Sequence, residues 1–262
     1  MKVILSFLLL LSFIQAQQKP LRLGIFPYLS VLKITQHNKS LKEYLEKKLK
    51  RPIIIVSEKN IQDYLNGVKK GSYDLLFTAP HIGRYGQIKA SYHPIAVTYQ
   101  YIQGYFIVKK NSSIKDLSGL KNKVISMAPP IALIHQTAVK DLETQNIYLG
   151  KNIRYLEASS HTKAIINLLQ KRCDVAITGV NIWKKLPKKH KSQLQVLKKS
   201  IKNPGFLLMG HTSLKKDLIH TIRKHLLKFH ASKEGVNYLF KGYKKITPGT
   251  MAKLDQYIDT LK

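Results

Sequence analysis

The sequence predicts a two-lobed α/β protein in which each lobe is a mainly parallel sheet flanked by helices, and two observations carry that expectation. The first is a module that occurs twice. Residues 61–78 and 162–178 each read as an amphipathic helix, a tight polar turn ending in Asp74 or Asp174, and a short apolar strand that stops at Thr78 or Thr178. A switch from helical period to a continuous apolar run is how a buried parallel strand fed by a crossover helix looks in sequence. The second is the order of the remaining segments, in which short β-branched runs alternate with helical ones and no low-complexity linker intervenes. Ligands in open α/β sheets bind beyond the carboxyl ends of the strands, so two modules imply two lobes facing one cleft. Two crossing strands, near residues 97–108 and 195–209, would join the lobes. The first lobe is then discontinuous, residues 17–100 and 205–262, and the second spans 101–204.

Each element follows from local pattern. Leu21 to Phe26 reads as a strand broken by Pro27 and Tyr28, and residues 32–49 carry Leu41, Tyr44, Leu45 and Leu49 at helical spacing. Pro52 opens a strand over 53–56, and the first module ends in a turn at Thr78, Ala79, Pro80 and His81. Residues 95–101 and 105–108 are rich in β-branched and aromatic side chains and predict two strands. A polar turn leads to a strand over 124–127, which Pro129 and Pro130 break; prolines suit a first helical turn, so a helix is expected from there to Leu142. A strand near 153–156 precedes Ser159, Ser160, His161 and the second module. After a lysine-rich surface loop, residues 206–209 predict a strand, and three apolar-periodic stretches follow at 218–229, 235–240 and 251–261.

Composition narrows the function classes. A hydrophobic content of 44% over 262 residues suits a globular protein with one large or two modest cores. Residues 1–16 read as a cleavable secretory signal: Lys2 gives the positive start, residues 3–14 the apolar run, and Ala16 a small residue at the cleavage point. Cys173, alone of its kind, cannot form an internal disulfide and reads as a half-buried structural thiol. The formal charge of +31 concentrates anions around the chain. Its lysines are spread over most polar faces without an arginine-rich aromatic stripe, which argues against a nucleic-acid-binding module.

Four segments carry a resemblance: residues 24–27 (Gly, Ile, Phe, Pro), residues 71–81 from Gly71 through Asp74 to Pro80 and His81, the run 104–120, and Ser160 with His161 ahead of Asp174. They resemble the phosphate/phosphite/phosphonate-binding branch of the type 2 periplasmic binding proteins. That resemblance covers nearly the whole chain after the signal. It implies a monomer in the periplasm that closes two lobes on a small anionic ligand, without cofactor or metal, and hands it to the permease of an ABC importer. The branch also contains proteins that present ligand to a membrane sensor kinase. Carried over by position, the resemblance puts the ligand near Tyr28, the turn Thr78, Ala79, Pro80 and His81, Tyr99 or Tyr101, the turn Ser126, Met127, Ala128, Pro129, Pro130 and Ile131, and Ser160 with His161. Hydroxyls and helix-start amides at strand ends suit an oxyanion.

One departure bears on the ligand. Where phosphonate-binding relatives have a Ser/Thr/Gly-rich turn, residues 127–132 contain two prolines and no hydroxyl. Two backbone donors are thereby lost, so a different anion, or a ligand with an apolar part, is expected to meet this turn. Ser159, Ser160, His81, His135 and His161 are the residues a hydrolase would need. No G-x-S-x-G elbow and no H-E-x-x-H or Cys/His metal spacing accompanies them, so binding is expected rather than catalysis.

Overall fold

The computed structural model describes residues 18–261 and contains two mixed sheets. The signal segment expected at residues 1–16 lies outside the described residues. The first sheet has the order β11-β4-β10-β3-β1-β2, with β1 (Leu21–Ile25), β2 (Ile53–Val56), β3 (Leu75–Thr78), β4 (Tyr92–Thr98), β10 (Leu207–His211) and β11 (Tyr243–Lys244). The second has the order β7-β6-β8-β5-β9, with β5 (Gly104–Lys109), β6 (Val124–Met127), β7 (Arg154–Glu157), β8 (Val175–Gly179) and β9 (Leu194–Lys199). In each sheet three parallel strands, β2-β1-β3 and β7-β6-β8, are followed by antiparallel ones, β10 and β5. Helices α1 (Val31–Leu49), α2 (Ile61–Lys69), α3 (Pro80–Lys89) and α8 (Lys216–Phe229) flank the first sheet; α4 (Leu133–Glu143), α5 (His161–Leu169) and the short α6 (Val180–Lys185) and α7 (Lys188–Lys191) flank the second.

The repeated module is a structural repeat as well, and its conformation follows from its residues. Asn60 caps α2 by accepting from the Asp63 N–H at 2.8 Å, and Ser160 caps α5 by accepting from the Lys163 N–H at 3.1 Å. Each helix ends in the same left-handed turn, at Gly71 (φ 64°) and Lys171 (φ 61°). A lysine tolerates that conformation less readily than glycine, which has no Cβ to clash. The aspartates then pin the neighbouring strand: the Arg22 N–H donates to Asp74 Oδ2 at 2.8 Å, and the Val124 N–H to Asp174 Oδ2 at 2.8 Å. Their own N–H groups return the bond to the carbonyls of Arg22 and Val124. Asp74→Ala and Asp174→Ala should each lower stability by about 1–2 kcal/mol, the range for a partly exposed charge-assisted bond. Urea unfolding of both variants checks it, and the larger loss is expected at Asp74, which is part-buried where Asp174 is exposed.

The junction between the sheets is two irregular strands of chain rather than two continuous β-strands. Residues 99–103 and 200–206 interrupt β4-β5 and β9-β10, and they pair only through an Ile102–Asn203 bridge. Gln103 Nε2 donates to the Ser200 carbonyl at 2.7 Å, and Asn203 Nδ2 to Thr137 Oγ1 at 3.1 Å.

Several boundaries differ from expectation. The strand expected over 95–101 lies at 92–98, because it is paired by β10 and ends where the crossing begins. Pro129 and Pro130 do not open α4: they form a turn closed by Ala132 N–H to the Pro129 carbonyl at 2.9 Å, and the helix starts at Leu133. The lysine-rich loop is two short helices, α6 and α7. Residues 235–240 are turns, and 251–261 divide into α9 (Pro248–Ala252) and two 3₁₀ turns. There the apolar spacing marks buried contacts, Tyr238, Phe240, Met251, Leu254, Tyr257 and Leu261, without a continuous helix.

Candidate functional site

Strands β1 to β4 run in one direction, so their carboxyl ends share one edge, and the carboxyl ends of β6, β7 and β8 share another. The turns leaving these edges meet. His81, in the first turn of α3, is fully buried, and its Nε2 lies 2.9 Å from the carbonyl of Ile131 in the double-proline turn. A carbonyl only accepts, so Nε2 carries the proton. Ile131 and Leu133 continue the contact by packing into the apolar cluster of Ala79 and Ile82. Both turns expected to hold ligand are therefore joined directly.

The imidazoles here are neutral at physiological pH. Burial pulls His81 down to about 4, outweighing the Ile131 carbonyl, which acts the other way. His161 is likewise lowered to about 4, first by burial and then by the neighbouring His135; the residue as a whole is part-buried while its Nδ1 is enclosed. His135 is lowered by burial, opposed by the Ala128 carbonyl and by Glu157. Its Nδ1 donates to the Ala128 carbonyl at 2.7 Å, and the Tyr155 hydroxyl donates to the same oxygen at 3.2 Å. The Tyr155 ring stands perpendicular to that of His135 at 5.2 Å. Nδ1 of both His81 and His161 is buried without a protein partner. His81 does not face solvent as a helix-start residue would, and the charge that a protonated His161 would lend is absent near pH 7.

The other expected residues divide by environment. Thr78, Ala79 and Pro80 are buried at the end of β3 and the start of α3, whose first N–H groups have no intrahelical acceptor. Tyr28 is half-buried, and its hydroxyl accepts from Asn38 Nδ2 at 3.3 Å; burial pushes it up to about 12. Ser126 is fully buried, with Oγ accepting from Asn167 Nδ2 at 3.0 Å, and Met127 lies inside the second core. Ala128 is buried, whereas Pro129 and Pro130 reach the surface. Tyr99 is 45% exposed, its ring set edge-on against His230, and Tyr101 lies under Lys202 Nζ at 4.8 Å. Ser160 is committed to capping α5. Cys173 is buried, and burial pushes its thiol up to about 12, which fits a structural role.

Sequence reasoning named His135 only as a hydrolase candidate and missed Tyr155 and Glu157, which support the double-proline turn with it. His135, Tyr155 and Glu157 cluster behind Ala128, and the one available signal was Tyr155 and Glu157 two residues apart on one face of a strand. It also missed the C-terminal segment as a tie between the lobes. Gln136 Nε2 of α4 donates to Thr260 Oγ1 at 2.6 Å, and Lys140 covers the Tyr257 ring. Two surface concavities lie away from the joined turns, one of about 610 Å³ beside α6 and β9 and one of about 890 Å³ beside α8 and α9.

Two α/β sheets joined by a pair of crossing segments, with helix starts and polar groups gathered where their strand ends meet, define a two-lobed ligand-binding protein of the type 2 periplasmic class. The chain matches the sequence model of the periplasmic substrate-binding proteins of phosphonate ABC transporters over residues 23–257, and it belongs to that family. No curated protein sequence matches it. Among solved structures it is similar to PhnD1 of Prochlorococcus marinus in complex with methylphosphonate, with TM-score 0.80, 16% identity, and 93% of this chain and 98% of that chain covered. XAC2383 of Xanthomonas citri, bound to chloride, gives TM-score 0.78 at 15% identity over 92% of this chain and 98% of that one. The binding component PA3383 of a Pseudomonas aeruginosa phosphonate transporter gives 0.75 at 17% identity over 92% and 86%. At such identities the likeness is one of fold. The family is a periplasmic transport component rather than an enzyme.

Proposed function

We propose that this chain captures a small oxyanion of the phosphonate type between the turn 78–81, the turn 126–131 and the start of α5, and delivers it to the permease of an ABC importer. The observation that carries this reading is the pair of buried, unpartnered imidazole nitrogens, His81 Nδ1 and His161 Nδ1, beside helix starts from both lobes. Buried polar atoms without partners in a folded chain call for a bound group. With Nε2 donating to Ile131, neutral His81 offers a lone pair at Nδ1, which suits the hydroxyl of a monoprotonated phosphonate. Helix-start N–H groups supply donors to the charged oxygens. Because the double-proline turn has no donor side chain, its role is to meet the organic substituent of the ligand.

A thermal-shift series with methylphosphonate, phosphate, methanesulfonate, acetate and glycine tests this, since a ligand of the folded state raises the melting temperature by mass action. Phosphonates should give the largest shifts, and a series with no shift from any oxyanion overturns the reading. With the ligand so found, calorimetric titration should show His161→Ala weakening binding by about 1.5–3 kcal/mol, the range for a hydrogen bond to a charged group. His190→Ala, on α7, should bind like the parent. Undiminished affinity in a folded His161→Ala protein would move the site away from α5.

A further inference from the structure

We infer that the groove between α6, α7 and β9 is a second anion site, built for an extended chain of closely spaced negative charges such as inorganic polyphosphate. It lies on the flank of the second sheet, holds about 610 Å³, and is lined by Tyr105, Trp183, Lys184, Lys191, Lys198 and Lys199 together with apolar residues of β9. One wall is helical, with Lys184 and Lys191; the other is the edge strand β9, where Lys199 shares the Tyr105 face and Lys198, in register with Phe106, turns to the α4 face. Two ammonium groups sit over the aromatic rings between them, Lys191 Nζ at 5.1 Å from the Trp183 centroid and Lys199 Nζ at 5.6 Å from Tyr105.

The sequence around the groove has no counter-charge. Residues 175–216 contain ten lysines and no Asp or Glu. Asp141 of α4, on the other face of the second sheet, attracts Lys198 away from the groove. A ring face held under an ammonium group fixes the position of a side chain that would otherwise be free to turn, so the two capped rings hold Lys191 and Lys199 in the groove. Like charges gathered on two facing walls repel one another, and a polyanion threaded between them relieves that repulsion. The concave shape decides between occupants. A flat bilayer meets the outward lysines of α7 but does not reach Tyr105 on the inner strand β5, whereas a chain lying along β9 does.

The chain contains a single tryptophan, and it lies in this groove, so intrinsic fluorescence reads the site directly. Titration of the protein with polyphosphate of uniform length, at fixed ionic strength, should change Trp183 emission saturably, and orthophosphate at equal phosphorus should leave it unchanged. The pairs Lys184→Gln with Lys191→Gln, and Lys191→Gln with Lys199→Gln, should each weaken binding about tenfold, close to the loss of one charge-assisted hydrogen bond. The pair Lys121→Gln with Lys151→Gln removes the same charge outside the groove, Lys151 covering Tyr148, and should have almost no effect. Equal losses in all three double variants would mean that the overall charge binds the polymer, and would overturn the site. Unchanged Trp183 emission at saturation would do the same. Groove-dependent binding to phosphatidylglycerol vesicles without binding to polyphosphate would overturn the choice of occupant.

Discussion

Acidification from about pH 6.5 to about pH 4 should remove several kcal/mol of folding stability, most of it above the range where ordinary carboxylates titrate. The reason lies in His81 and His161, both lowered from an ordinary 6.5 to about 4 in the folded chain, chiefly by burial. Between those values the unfolded chain binds a proton at each ring and the folded chain does not, so stability rises with pH across the window. The contribution is complete above about 6.5 and is lost as the pH falls toward 4. Its size is about 3 kcal/mol for His81, and less for His161, which is only part-buried. Against a typical stability of about 5–15 kcal/mol, this is a large fraction. Urea unfolding at several pH values should show it, and the double variant His81→Gln, His161→Gln should flatten the profile between those limits. A parent profile as flat as the variant's would mean the rings are protonated in the folded state.

Gly205→Ala should destabilise the chain by about 3 kcal/mol or more, because the methyl group has nowhere to go. A Cβ at Gly205 would run into the Gln100 carbonyl and Thr98 Oγ1 and lie 2.9 Å from the Thr98 carbonyl. These atoms belong to the end of β4 and the start of the first crossing segment, where the Thr98 N–H donates to the Phe206 carbonyl at 2.9 Å. Backbone cannot step aside as the tip of a long side chain does, so the two segments must separate. If they serve as the hinge between lobes, the substitution also changes closure, which depends on a few residues absorbing the backbone rotation. Thermal denaturation gives the first effect, and small-angle scattering with and without ligand gives the second. A variant within about 1 kcal/mol of the parent would show that the segments can relax at little cost.

Much of the fold was legible because the repeat is local. Residues 61–78 and 162–178 contain the cap, the amphipathic face, the turn and the apolar strand within one stretch, and each is set by neighbours in sequence. The strands over 53–56 and 124–127 were bounded correctly for the same reason: continuous apolar runs with turn residues at both ends. Elements held by distant contacts were read less well. Residues 251–261 have helical spacing, yet they divide into short turns because they are shaped around Ile82 and the start of α4 at Leu133 and Gln136.

At the candidate site, residue type and strand-end position could be read from the chain, but chemistry could not. A histidine in a sequence is a donor, an acceptor or a cation, and only burial decides among them. His81 became a neutral donor to Ile131 because the packing of two lobes excluded water from its ring. The double-proline turn was visible as a loss of donors, while its contact with His81 joins residues fifty positions apart and left no mark in either segment.

The sequence by itself determined the two α/β units, the order of their strands along the chain and the large positive charge, since each depends on periodicity or composition. Tertiary structure alone decided which turns meet, which histidines lose their charge, and that lysines from α6, α7 and β9 face one another across a single groove. Those properties depend on distance and on the exclusion of water, and neither exists until the chain has folded.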